Sequence, residues 1–113
     1  MTKPNFLCVL DGVGGWIEVL IDSGKMTKEF IQHIETEVDH ISDKTDLSFI
    51  LDQAVSKTKA KGSTTATMAF LNDTQLKTCN LGDSGYLLLR PQDGKLQTLY
   101  RSESQQYYFN CPY

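Results

Sequence analysis

Two acidic residues in this sequence stand where chemistry could be done. Asp11 directly follows the apolar run Phe6-Leu7-Cys8-Val9-Leu10 and opens the segment Asp11-Gly12-Val13-Gly14-Gly15-Trp16. A carboxylate at the end of a buried strand is held rigidly, and a neighbouring glycine lets backbone carbonyls approach a ligand closely. That pairing suits a hard cation such as Mg²⁺ or Mn²⁺, which takes oxygen donors and retains several waters. The plain alternative is a turn, since Asp-Gly is a common turn dipeptide, and on these two residues alone the turn is the stronger reading. Asp83 is the second candidate, within Asn80-Leu81-Gly82-Asp83-Ser84-Gly85. Its flanking glycines fit a tight hairpin or bulge as well as they fit a second carboxylate brought to a sheet edge near the first.

Other chemistries find less support. Gly62-Ser63-Thr64-Thr65-Ala66 is rich in hydroxyls, but Ser63 has no sign of nucleophile activation. The two histidines, His33 and His40, fall inside a helical pattern and read as solvated helix residues. No serine-hydrolase elbow or cysteine-nucleophile signature occurs. A dinucleotide-binding fingerprint needs a third glycine where Ile17 stands, together with a helix that starts at once. Cys8, Cys79 and Cys111 are odd in number and widely spaced, matching neither a zinc pattern nor a secreted disulfide framework. Cys8 and Cys79 lie in candidate strands, where a reduced thiol behaves as a small apolar group. Reduced thiols imply a reducing intracellular compartment, cytoplasmic or mitochondrial.

The elements that must position these residues can be read from periodicity. Phe6–Leu10 is short and continuously apolar, as a strand buried on both faces would be. Met26, Phe30, Ile31, Ile34, Val38 and Ile41 fall at helical spacing, which predicts a helix over 26–41. A second helix is expected over 47–59, with Thr45 or Asp46 as its N-cap and Gly62 as its stop. Strands follow at 64–71, 76–81, 86–90 and 96–101, separated by Asn72-Asp73-Thr74-Gln75 and Pro91-Gln92-Asp93-Gly94 turns. Helices followed by a strand meander predict an α+β fold with an antiparallel sheet and two helices on one face. Several strands are apolar on both faces, Leu87, Leu88 and Leu89 most obviously, so the sheet calls for another layer that the sequence does not supply.

With 113 residues, 40% of them hydrophobic and 22% charged, the chain suits one soluble domain or part of one. A net charge of −3, from 11 basic and 14 acidic residues, argues against a broad electrostatic grip on nucleic acid. No apolar run approaches the length of a membrane span, and Met1–Asn5 is too short for a signal or transit peptide.

The motifs together say more than each alone. In order, Asp11-Gly12-Val13-Gly14-Gly15-Trp16, Gly62-Ser63-Thr64-Thr65-Ala66, Asn80-Leu81-Gly82-Asp83-Ser84-Gly85 and the tail Arg101–Tyr113, with its Gln105-Gln106-Tyr107-Tyr108-Phe109-Asn110 stretch, resemble the metal-dependent serine/threonine protein phosphatases of type 2C. The Gly-Gly-Trp ending and the tail are similar to a branch that includes organelle-associated members. The resemblance covers residues 1–113 as a partial domain. It implies an α-β-β-α sandwich, of which the second half is missing here, and so supplies the layer that the strands call for. It implies hydrolysis of phosphoserine and phosphothreonine in phosphoprotein substrates. Two Mg²⁺ or Mn²⁺ ions held by carboxylates would generate the nucleophile and stabilise phosphoryl charge. Matched to the family motif, Asp11 would bridge the ions, the Gly12 carbonyl would bind one of them, and Asp83 would lie at a weaker additional position. Gly14, Gly15 and Trp16 would shape the corner rather than react.

The family also carries acidic residues upstream of its first Asp-Gly pair and Asp positions later in its domain, and these have no counterpart here. One carboxylate cannot offset the mutual repulsion of two divalent ions, so the chain alone is expected to be inactive. The other expectation is a non-catalytic remnant acting as a protein-interaction module, self-associating through its uncovered sheet.

Overall fold

The computed structural model describes residues 1–112. Tyr113, the last residue of the tail motif, lies outside the described residues. Strands β1 (Thr2–Lys3) and β2 (Phe6–Val9) lead into a 3-10 helix (Gly14–Val19). Helices α1 (Ser23–Val38) and α2 (Leu47–Lys57) follow, then β3 (Ala66–Asn72), β4 (Gln75–Leu81), β5 (Leu87–Gln92), β6 (Lys95–Arg101), β7 (Gln106–Tyr108) and β8 (Cys111–Pro112). The expected α+β class with antiparallel pairing is what the chain adopts.

Strands β1 to β4 form one antiparallel sheet in sequence order. Its helix-facing side carries Phe6, Cys8, Ala66, Met68 and Phe70, all buried. They pack with Phe30, Ile34 and Val38 of α1 and with Leu47, Ile50, Leu51 and Ala54 of α2 in a single core. Each such large side chain removed from water contributes roughly 1.5–3 kcal/mol. The opposite face of the same sheet is open, with Leu7, Val9, Leu71 and Leu76 exposed. This is the two-faced apolar sheet foreseen in the sequence, with helices on one side only.

Local signals set the helix boundaries. Helix α1 begins three residues earlier than its apolar stripe suggests, because the Asp22 carboxylate accepts the Gly24 amide N–H at 2.8 Å. Asp46 caps α2 in the same way, accepting from Ser48 at 3.0 Å. Gly62 does not stop α2: the helix ends at Lys57 as Thr58 turns extended. The segment that follows is held by Glu29, which was expected on the wet face of α1. Its carboxylate accepts the amide N–H groups of Lys59 at 2.8 Å and Ala60 at 2.9 Å. Gly62 sits at φ +146°, with Met26 Cβ 3.0 Å from where its own Cβ would be, so it serves close approach to α1.

The meander does not form one sheet. Strands β5 and β6 pair only with each other, and β7 with β8. The β5–β6 turn is the expected Asp93-Gly94, with φ of +51° and +73°, the two positive values of a tight hairpin turn whose twist matches the strands. Between β4 and β5 the backbone swings out of the sheet at Gly82, φ +95°, which is why the pairing breaks there.

Candidate metal corner

Asp11 and Gly12 do not make a tight turn. The β2–β3 ladder continues beyond Val9↔Thr67, with Thr65 N–H donating to the Asp11 carbonyl at 2.9 Å and Val13 N–H to the Ser63 carbonyl at 2.9 Å. Gly12 stands opposite Thr64 as an isolated antiparallel bridge. The two bonds of that bridge use the carbonyls of Asp11 and Ser63, so the Gly12 carbonyl takes no part in them. The glycine is needed because α1 presses on it: a Cβ there would lie 2.8 Å from Thr27 Oγ1 and 3.3 Å from Ser23 Cβ. Ser23 is buried, and its hydroxyl donates to the Val13 carbonyl. The start of α1 is thereby fastened to the corner.

Trp16 shapes the corner as expected, and the means is specific. Its indole Nε1–H donates to Ser63 Oγ at 2.7 Å, tying the 3-10 helix to the chain entering β3. Gly14 and Gly15 differ: a Cβ at either would meet nothing within 4 Å, and neither has a positive φ.

Asp83 is half-buried in the segment after β4, which is braced from two sides. Toward the sheet, the Ser84 and Thr65 hydroxyls share a hydrogen bond of 2.6 Å. Toward the tail, Gly82 N–H donates to Gln105 Oε1 at 3.0 Å while Gln105 N–H donates to the Gly82 carbonyl at 2.9 Å. Next to it, Tyr86 N–H donates to Ser102 Oγ at 2.8 Å, and Asn80 Nδ2 donates to the Glu103 carbonyl at 3.3 Å. The residue that sequence reasoning missed is therefore Gln105. Its tail motif was visible, but its role depends on β6 returning the chain to Gly82.

Asp11 and Asp83 thus emerge at one end of the sheet, on either side of Thr65. Neither has an ion-pair partner among the described residues, whose salt bridges are Lys3–Glu35, Lys3–Asp39, His33–Glu29 and Lys57–Glu37. Unpaired carboxylates gathered at one end favour a cation there. His33 and His40 belong to α1 and its exit, where His33 Nε2 lies 3.7 Å from Glu29.

An Asp11 carboxylate and a Gly12 carbonyl outside the bridge are hard oxygen donors. That set fits one divalent ion that keeps most of its water. It does not fit a pair of ions, since the described residues gather no group of three or more His, Cys, Asp or Glu side chains.

The sequence pattern of protein phosphatase 2C matches residues 2–103. The chain belongs to the protein phosphatase 2C family. It is 39% identical to "Probable protein phosphatase 2C 80" of Arabidopsis thaliana, over 96% of this chain and 28% of that protein. It is 37% identical to "Protein phosphatase PTC7 homolog fig" of Drosophila willistoni, over 98% of this chain and 36% of that protein. Among solved structures, the photosystem II phosphatase PBCP superposes with a TM-score of 0.79 at 32% identity, covering 96% of this chain and 42% of that one. The chain therefore spans roughly a quarter to two-fifths of the lengths of these proteins.

Proposed function

We propose that this chain supplies the Asp11–Gly12 corner of a protein phosphatase that hydrolyses phosphoserine and phosphothreonine in proteins, and that donors outside these residues complete the centre. The observation that carries the reading is the convergence of Asp11 and Asp83 at one sheet end, within a chain matched to the family over residues 2–103. Asp11 and the Gly12 carbonyl would hold a Mg²⁺ or Mn²⁺ ion, with Asp83 at a second, weaker position. Bound there, such an ion would make water a better nucleophile at neutral pH and offset charge on the phosphoryl oxygens. The protein's own part is geometric. The β2–β3 ladder fixes Asp11, Ser23 and Trp16 fix the backbone after it, and Gln105 fixes the segment bearing Asp83. The free thiols Cys8, Cys79 and Cys111 support a reducing intracellular compartment, cytoplasmic or mitochondrial.

The test is hydrolysis of a phosphothreonine peptide with Mn²⁺. A polypeptide extended through the rest of a family domain should turn over and lose at least about 100-fold on Asp11→Ala, the scale seen when one electrostatic catalytic contact is removed. The 113-residue chain should show no turnover. An extended protein indifferent to Asp11→Ala would overturn the reading.

A second reading, a non-catalytic interaction module, is favoured by the open sheet face, where Leu7 is 55% and Val9 63% exposed. Its occupant would be a second copy of the chain. Sedimentation should then show dimers that Val9→Lys returns to monomers, and a wild-type chain monomeric at its solubility limit refutes it.

A further inference from the structure

Thr65 is placed unlike any other residue at the corner. Its amide N–H donates to the Asp11 carbonyl at 2.9 Å. Its hydroxyl shares the 2.6 Å bond with Ser84, the immediate neighbour of Asp83. Its methyl and Cβ press on the backbone at Gly82, where an added Cβ would lie 2.8 Å from Thr65 Cγ2 and 3.1 Å from Thr65 Cβ. It is itself buried, 3% exposed. One rigid, β-branched side chain on β3's approach thus touches both carboxylate-bearing segments, which are otherwise 72 positions apart in sequence (83 − 11).

We infer that Thr65 is a positioning residue that couples Asp11 to Asp83, so that the two carboxylates act on one cation as a unit rather than as separate weak sites. The inference rests on the metal-corner reading above and adds the device that sets the spacing. The neighbouring Thr67–Asn80 side-chain bond, 2.5 Å, ties β3 to β4 one step further into the sheet and leaves Thr65–Ser84 as the tie nearest the corner. A buried hydroxyl bond between two loops restrains their separation, and residues of this supporting kind alter metal affinity on the order of 10-fold or more when removed.

The test is a mutant cycle on Mn²⁺ affinity of the 113-residue chain, read from free Mn²⁺ by electron paramagnetic resonance. Asp83→Asn should weaken binding on the order of 10-fold in the wild-type background and hardly at all in Thr65→Val, which keeps the shape and loses the hydroxyl. Thr65→Ser should restore the wild-type response. Ser84→Ala removes the same bond from its half-buried end and should copy Thr65→Val, which guards against a folding defect at the buried position. Equal losses from Asp83→Asn in both backgrounds would overturn the coupling while leaving the metal corner standing. So would an Asp83→Asn variant that binds like wild type while Asp11→Asn does not. An Mn²⁺ affinity unmoved by Asp11→Asn would sink the corner and the coupling together.

Discussion

The helix-backed sheet and the β5–β6 hairpin are made of similar strand material and end in opposite states. Strand β3 buries Ala66, Met68 and Phe70 beneath α1 and α2. Strand β6 leaves all of its residues exposed, and β5 holds only Leu88 half in. The hairpin has a well-formed turn and a complete ladder to its partner strand, so local chemistry is not what it lacks. It lacks cover. Apolar strands gain stability from removal of their side chains from water, and a lone two-stranded ribbon removes few. The candidate corner lies at the seam between the regions, with Asp11 on the covered side and Asp83 on the segment leading to the uncovered one.

The sharpest way to break this comparison is to delete equivalent bulk on each side. Ile34→Ala, at a fully buried core position of α1, should cost about 2–5 kcal/mol in urea unfolding. Leu96→Ala, on the exposed hairpin, should fall within about 0.5 kcal/mol of wild type. A comparable loss at Leu96 would mean that the hairpin has cover in solution. Glycines give a second, smaller contrast. Gly82→Ala meets both a left-handed backbone, φ +95°, and Thr65 Cγ2 at 2.8 Å; backbone strain and overcrowding should together cost about 2–4 kcal/mol. Gly94→Ala meets the left-handed backbone but open space, and should cost only about 1–2 kcal/mol. Equal costs would show that Thr65 yields, and with it the seam.

These contrasts also mark what the sequence could and could not disclose. The fold class, both helices and the strand segments were legible, because period and turn residues are local signals. Asp46 as a cap and Asp93-Gly94 as a hairpin turn could be read directly. The break of the meander at Gly82 could not, since its cause is the bond between Gly82 and Gln105, 23 positions along. The corner was legible only as an ordered set of motifs. Its Asp-Gly pair looks like a turn until Thr65 and Ser63 are seen continuing the ladder past it. Glu29 is the plainest case of the same blindness: a glutamate on a helix reads as solvated, and only the return of the chain at Lys59 gives it partners.

That glutamate allows a pH test of the covered region. The Lys59 amide, followed by that of Ala60, holds the Glu29 carboxyl below its ordinary value of 4.5, with His33 adding to the effect. A carboxyl with the lower value in the folded chain contributes stability above its unfolded value, and that contribution is lost as pH falls through the folded one. Glu29→Gln should therefore lower the melting temperature at neutral pH, with the gap to wild type closing as pH falls below about 4.5. The expected effect is smaller than that of any core deletion. A gap that persists unchanged into acid would assign the loss to packing rather than to the carboxylate.

The smallest expected effect is on reactivity rather than stability, and it reads the two regions in one experiment. Burial pushes the Cys8 thiol up to about 11, on a residue only 2% exposed. At pH 8 roughly a thousandth of it would be thiolate even if reagent could enter, and the thiolate is the reactive form. Cys111 lies in the β7–β8 tail, half-buried and outside the helix-backed core. Iodoacetamide on the native chain should therefore label Cys111 well before Cys8. Cys8 should react only through opening of the β1–β4 sheet, so its rate should climb steeply with urea, as global opening does, while that of Cys111 changes little. Because Cys8 pairs with Met68 across β2 and β3, Ile34→Ala should speed its labelling and Leu96→Ala should not. Labelling of Cys8 as fast as Cys111 in native buffer would show that the covered sheet opens as readily as the uncovered tail.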